Sequence, residues 1–144
     1  MSLAGFQLSA ERLGQVELVE GKPLPFDKGV SWEYDGGYMQ AFIHDDKFTV
    51  VFLDNDRCVR PMDDITLIVL NSRVKGGNGQ FYPYHLEPST GGLYYQNPRY
   101  VYRPHDYEIW IALRKEVKRF FAGSRRMEVG YVRPTFEAKR LVQP

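Results

Sequence analysis

The sequence predicts an all-β fold, an antiparallel two-sheet sandwich of immunoglobulin-like or related type, with a small closed β-barrel as the alternative. Three observations support this prediction. Short runs rich in aromatic and β-branched residues recur along the chain, bounded by glycine, proline, asparagine or aspartate. Residues 47–53 alternate regularly between two faces. No long helical pattern separates the runs, which argues against a parallel α/β sheet.

The segment 38–53 carries the strongest local signal. Two apolar runs flank the acidic pair Asp45–Asp46, an arrangement typical of a β-hairpin. The second run is apolar on both of its alternating faces. We therefore expect a central strand that is covered on both sides.

The same alternation predicts strands along the rest of the chain. Together with the hairpin, they lie near residues 15–20, 30–34, 38–44, 47–53, 65–73, 81–86, 107–113 and 127–133. Pro83 favours a sheet edge because proline donates no ladder hydrogen bond. The predicted core contains Trp32, Phe42, Phe48, Val50, Phe52, Leu67, Val69, Ile109, Ile111 and Val129.

The segment after the strand 107–113 is ambiguous. Leu113, Val117, Phe120 and Phe121 follow a helical spacing, which indicates one or two helical turns ended by Gly123. The domain organisation predicted from these elements is a flexible lead-in at 1–13, a single domain at 14–134 and a basic tail at 135–144.

Composition and charge exclude few functions. The chain is 43% hydrophobic and 26% charged, which is typical of soluble globular domains. Residues 1–112 carry 10 Lys and Arg against 15 Asp and Glu, a net charge of −5, whereas residues 113–144 carry 9 against 3, a net charge of +6. A solvated basic edge explains this asymmetry better than nucleic-acid binding, because the charge density is modest.

Compartment is not determined by the sequence. The single cysteine, Cys58, allows no internal disulfide. No apolar run is long enough to span a membrane. The start Met1-Ser2-Leu3 has no signal-peptide features, but it is compatible with a removed leader, which would favour an extracytoplasmic location.

Residues suited to catalysis or metal binding are few. The three histidines are His44, His85 and His105, and the first and last precede aspartates. Their spacing matches no metal motif, and turn formation explains Asp45–Asp46 better than metal ligation. We therefore predict no metal site and no cofactor.

Two further segments have weak functional signals. Cys58 lies between Arg57 and Arg60, whose charge can lower a thiol pKa, but no motif supports a catalytic role. The glycine-rich segment 76–79 is not followed by a helical pattern, so a hairpin tip explains it better than a phosphate loop.

An aromatic cluster between residues 81 and 103 is the best functional lead. Rings that stack and polar groups that give direction together suit a recognition surface, although cross-strand pairing alone is the competing explanation. The predicted ligand-binding residues are Tyr82, Tyr84, Tyr94, Tyr95, Arg99, Tyr100, Tyr102 and Arg103.

The sequence therefore favours a non-enzymatic interaction module that binds a protein partner, a second copy of itself or a glycan through this Tyr/Arg-rich face. A small β-fold enzyme or metal-binding protein using His and Asp residues is the alternative. A nucleic-acid-binding domain using the basic C-terminal region is the third hypothesis.

Overall fold

The chain folds into antiparallel β-structure. A computed structural model describes residues 18–24, 29–74, 80–101, 106–121, 126–132 and 135–142, with side chains described for 18–24, 29–73, 80–101, 107–116, 136 and 139. The described strands are β1 Val30–Tyr34, β2 Gly37–His44, β3 Lys47–Leu53, β4 Val59–Arg60, β5 Ile65–Val74, β6 Tyr82–Pro88, β7 Tyr95–Tyr100, β8 Asp106–Phe121, β9 Arg126–Val132 and β10 Thr135–Val142. Within these ranges the one helical element is a 3₁₀ turn at Thr90–Gly92, so the all-β prediction is confirmed.

The strands form one continuous sheet that curls into a half-barrel. Its order is β9-β8-β5-β6-β7-β3-β2-β1, with β10 paired to β8 and β4 paired to β3. The two-sheet sandwich is not confirmed, because the described strands are linked by hydrogen bonds into a single sheet. The barrel alternative is partly consistent with this curl. At the far end, Phe136 of β10 packs on Trp32 of β1 with ring centroids 6.2 Å apart.

Strand β6 joins the two halves of the sheet. Its first part pairs with β5, from Tyr82 opposite Ser72 to Leu86 opposite Ile68. Only its last two residues, Glu87 and Pro88, pair with β7. Beyond this short ladder β6 and β7 diverge, and Pro83 lies in the part of β6 that has no β7 partner. This position fits the sequence preference of proline for a sheet edge.

Strand β8 is longer than predicted and contains no helical turn. It pairs with β10 along its first half and with β9 along its second half. The same register offset runs from Arg126↔Phe121 to Phe136↔Ile111, so β9 and β10 follow one edge of β8. The helical prediction is wrong, because antiparallel pairing satisfies the backbone here. Residues 135–142 lie within the sheet as β10 and not in a tail outside it.

Two tight turns explain the hairpins β1–β2 and β2–β3. Asp35 and Gly36 have φ of 52° and 75°, and Asp45 and Asp46 have φ of 53° and 60°. Positive φ at both central residues is the geometry of a type I′ turn, whose twist matches that of the flanking strands. The acidic pair at 45–46 therefore serves the turn.

Two apolar clusters hold the half-barrel together. The main cluster fills the concave side and contains Trp32, Met39, Ala41, Phe48, Val50, Phe52, Met62, Ile65, Ile68, Leu70, Leu86, Tyr95, Tyr107, Ile109, Ile111 and Leu113. The second lies on the outer side of β2 and β3 and contains Leu24, Phe42, Val51, Leu53 and Val59. Strand β3 is thus covered on both faces, as predicted.

The predicted core is correct except on β5. Leu67 and Val69 are only half-buried and lie on the outer face, whereas Ile68 and Leu70 fill the interior. All of residues 65–70 except Thr66 are apolar, so alternation could not identify the inner face. Val129 lies outside the described side chains. Of the predicted strand 15–20, residues 15–17 lie outside the described residues, and 18–20 form no strand.

Candidate functional site

The predicted residues whose side chains are described lie on β6, on β7 or immediately before β7. We call Tyr82, Tyr84, Arg99 and Tyr100 the aromatic rim. The Arg99 guanidinium lies 6.0 Å from the centroid of the Tyr84 ring. Tyr84 also packs on Phe48 of β3, with centroids 5.0 Å apart. These contacts connect Arg99 and Tyr84 to the buried Phe48.

Two rim tyrosines are open to solvent. The exposed fraction is 73% for Tyr82 and 54% for Tyr100, and these are the large exposed hydrophobic side chains of the described residues. Tyr100 pairs with Lys47 across β7 and β3, and the Lys47 ammonium lies 4.9 Å from its ring centroid. A large exposed ring beside a cation, as at Tyr100, is suited to contact with another molecule.

A side-chain hydrogen bond holds the rim strands in place. The amide Nδ2 of Asn97 donates to the carbonyl oxygen of His85 at 2.8 Å. The Oδ1 of the same residue accepts from the backbone amide of Arg99 at 2.9 Å. Asn97 therefore links β7 to β6 where no ladder joins them, and it fixes the backbone that carries Arg99.

The other predicted residues do not join the rim. Tyr95 is fully buried, and its hydroxyl lies within hydrogen-bond distance of the carbonyl oxygens of Met62 at 3.0 Å and Ile65 at 2.8 Å. Burial raises the pKa of Tyr95, with a further contribution from Asp64. Its assignment to an exposed ligand-binding face is wrong, because alternation along β7 directs it inward.

Tyr94 is half-buried and packs on the second apolar cluster. Strand alternation thus directs Tyr94 and Tyr95 to opposite faces of the sheet. Tyr102 and Arg103 lie outside the described residues.

The residues considered for catalysis or metal binding are dispersed. His44 ends β2 beside Asp45, with Nε2 3.5 Å from the nearest carboxylate oxygen, whereas His85 lies on β6. In the described part of the chain, no three His, Cys, Asp or Glu residues form a group that could hold a metal ion. His105 lies outside that part.

Cys58 has the opposite electrostatic environment from the one its sequence neighbours suggest. Partial burial raises the pKa of its thiol, and the carboxylates of Asp54 and Asp56 raise it further. Nearby Arg57 turns away, because its guanidinium hydrogen-bonds Gln40 and lies 4.6 Å from the centroid of the Tyr38 ring. A raised pKa lowers the thiolate fraction, so the geometry gives no support to a nucleophilic Cys58.

A groove on the outer face of β5, β6 and β8 was not anticipated from the sequence. Its volume is about 400 Å³. The lining of this outer groove consists of Leu67, Val69, Asn71, His85, Trp110, Ala112, Leu113 and Arg114. Cross-strand pairing places Asn71 between Pro83 and Trp110, and Val69 between His85 and Ala112.

One sequence signal could have pointed to this groove. Asn71 interrupts the apolar run of β5, and Trp110 lies on the face of β8 opposite to Ile109 and Ile111. Bringing these two residues together requires the β5–β8 register, which the sequence does not contain.

Among the described residues, no helix has the length and apolar character needed to cross a membrane. Comparisons of the chain with protein-family models, with curated proteins and with solved structures gave no match.

Proposed function

We propose that the protein is a non-enzymatic interaction module that binds a partner protein through the aromatic rim. The observation that carries the proposal is the exposure of Tyr82 and Tyr100 at the divergence of β6 and β7. Tyrosine and arginine are enriched among residues that dominate binding energy at protein interfaces. The rim offers both types of residue on a sheet surface.

Rigidity of the rim supports this proposal. Tyr84 is held between Phe48 and Arg99, and the Asn97 hydrogen bonds fix the backbone at Arg99. A surface that is ordered before binding loses less conformational entropy on association. The rim is therefore suited to a partner that contacts it without rearrangement.

A glycan is the second class of ligand considered for the rim. Exposed tyrosine rings can stack on sugars, and Arg99 can hydrogen-bond hydroxyl groups. A protein partner is favoured because tyrosine and arginine, both present in the rim, are enriched among the residues that dominate binding energy at protein interfaces.

The two other functional hypotheses have less support. An enzyme using His and Asp residues would require them to lie together, and His44 and His85 lie on β2 and β6. A nucleic-acid-binding role would use the basic sequence of β8 and β9, where Arg114–Phe121 and Arg126–Val132 together carry 5 Lys and Arg against 2 Glu. Its test is salt-dependent binding of a DNA duplex by the full chain.

The experiment compares the wild-type chain with the double variant Tyr82→Ala/Tyr100→Ala. Self-association is measured by sedimentation over a range of concentrations. Partner proteins captured by cross-linking are purified and titrated back onto each form, and a glycan array is run in parallel. We expect the double variant to bind at least about tenfold more weakly, because each ring is a candidate hot spot.

A control is Glu33→Ala, an exposed change on the terminal strand β1, which β2 and β3 separate from β7 in the sheet order. It should leave both binding and melting temperature unchanged. Equal binding by the wild type and the double variant would contradict the proposal. If no protein partner is found and the chain binds the glycan array only when the two rings are present, the ligand of the rim is a glycan.

A further inference from the structure

The outer groove contains a buried polar group that the fold leaves unsatisfied. Asn71 is 7% exposed, and its Nδ2 has no hydrogen-bond partner in the part of the chain that the structure describes. A buried donor without an acceptor costs about 1–3 kcal/mol, and such groups are uncommon in native proteins. Because Asn71 lines the groove, the missing acceptor can be supplied by a molecule bound there.

The chemistry of the lining limits what that molecule can be. Leu67 and Val69 provide an apolar floor, and Trp110 provides a half-buried aromatic ring beside them. Asn71 offers N–H donors and Arg114 offers a cation, whereas none of the lining residues is acidic. A ligand that complements this groove has an apolar body and a negatively charged oxygen-bearing group.

Glu108, which lies on this face of β8, is paired with Arg73. Glu108 accepts hydrogen bonds from Nε and one terminal nitrogen of Arg73, at 2.9 and 2.6 Å. The Arg73 guanidinium also lies 4.4 Å from the Phe81 ring centroid, and Phe81 packs on Trp110 at 6.5 Å. This stack packs against Trp110 at one side of the groove, and Arg114 supplies a cation to the lining.

We propose that the outer groove binds a small carboxylate with a planar apolar body, whose carboxylate oxygens accept from Asn71 Nδ2 and pair with Arg114. The groove volume of about 400 Å³ lies within the roughly 300–1,000 Å³ typical of small-ligand pockets. This site lies outside the aromatic rim, and the proposal does not depend on the function assigned to the rim.

The test uses the full chain labelled with ¹⁵N and three probes. The first is 2-naphthoate, which has both the apolar body and the carboxylate. The second is 2-naphthalenemethanol, which keeps the body without the charge. The third is acetate, which keeps the charge without the body. Binding is followed by two-dimensional NMR of backbone amides and of the Asn71 side-chain amide.

We expect 2-naphthoate to bind with a Kd of roughly millimolar or tighter, from the free energy per heavy atom typical of such ligands. It should shift the Asn71 side-chain amide and the indole N–H of Trp110. The other two probes should bind at least about tenfold more weakly. Equal binding by 2-naphthalenemethanol, or no shift at Asn71 with 2-naphthoate in the millimolar range, would overturn the proposal.

Variants separate binding from folding. Asn71→Leu keeps the side-chain shape but removes the donor, so it should reduce 2-naphthoate affinity at least about tenfold while the melting temperature stays equal or rises. Arg114→Gln should weaken 2-naphthoate without changing the weak binding of 2-naphthalenemethanol. The control Asn55→Leu, on an exposed turn, should leave affinity unchanged.

Two results would contradict a ligand-binding role for Asn71. One is a lower melting temperature of Asn71→Leu. The other is unchanged 2-naphthoate affinity in that variant. A peptide ending in phenylalanine carries the same chemistry at its C-terminal carboxylate. Tighter binding of this peptide than of 2-naphthoate would identify a chain terminus, and not a free small molecule, as the source of the carboxylate.

Discussion

Phe48 connects three strands across the interior, so its truncation tests the curled architecture directly. The ring is 1% exposed and packs on Tyr84 of β6 at 5.0 Å and on Tyr107 of β8 at 5.4 Å between centroids. Phe→Ala at a buried site costs about 3–5 kcal/mol, and each aromatic pair contributes about 0.5–1.5 kcal/mol beyond area burial. Because two pairs are lost, we expect a loss of about 4–5 kcal/mol in the free energy of unfolding.

Urea unfolding followed by tryptophan fluorescence measures this loss. With a typical slope of about 2 kcal/mol per molar urea, the midpoint should fall by about 2 M. Phe48→Leu retains most of the volume and loses only the ring contacts, so it should cost about 1–2 kcal/mol. The surface control Tyr82→Ala should change stability by less than about 0.5 kcal/mol.

A loss below about 1 kcal/mol in Phe48→Ala would refute the reasoning, because a ring enclosed by β6 and β8 cannot be removed at so small a cost. It would mean that β3 does not face β6 and β8 across the concave side. Equal losses in the alanine and leucine variants would contradict the cavity contribution, because leucine retains most of the volume.

Two further predictions follow from the interior and from a turn. Burial raises the pKa of Tyr95, so the unfolded chain loses this proton first and stability should fall as the pH rises above about 10. Tyr95→Phe should cost about 1–2 kcal/mol at pH 7, because the carbonyls of Met62 and Ile65 lose their donor, and its stability should fall less steeply above about pH 10 in urea titrations. An equally steep fall in this variant would contradict the assignment. Gly37→Ala should cost about 1–3 kcal/mol in thermal unfolding, because a Cβ there would lie 2.0 Å from the carbonyl oxygen of Leu53; unchanged stability would show that the hairpin can shift to accept it.

The hairpin of β2 and β3 could be predicted because its signals are local. Alternation in 47–53 and the acidic pair at 45–46 specify two strands and their turn without reference to the rest of the chain. The same alternation directs Tyr94 and Tyr95 to opposite faces of the sheet, so the two cannot lie on one recognition surface. Sequence proximity places both in one aromatic cluster, whereas side-chain parity determines burial.

Other features depend on pairing between distant segments. In β8, Val117 and Phe120 fit a helical spacing, but pairing with β9 converts the segment into a strand. On β5 both faces are apolar, so its inward face is set by β6 and β8 and not by its own sequence. The outer groove requires Asn71, Trp110 and His85 to meet across three strands, and no single segment contains this information.

The outer side of the half-barrel is covered over β2 and β3 but partly open over β5 and β8. Over β2 and β3, Leu24 and Val59 cover the sheet and Arg57 hydrogen-bonds the buried Gln40. Over β5 and β8 the groove leaves apolar side chains partly open, and Asn71 Nδ2 has no acceptor among the residues that the structure describes. A leucine at position 71 would remove the desolvation cost of the unpaired Nδ2 and keep the shape, so we expect the fold to tolerate this substitution. Natural proteins break the rule that buried polar groups are paired mainly at functional sites, where a bound molecule can supply the partner. For this reason the search for a ligand of this protein should include the outer groove as well as the aromatic rim.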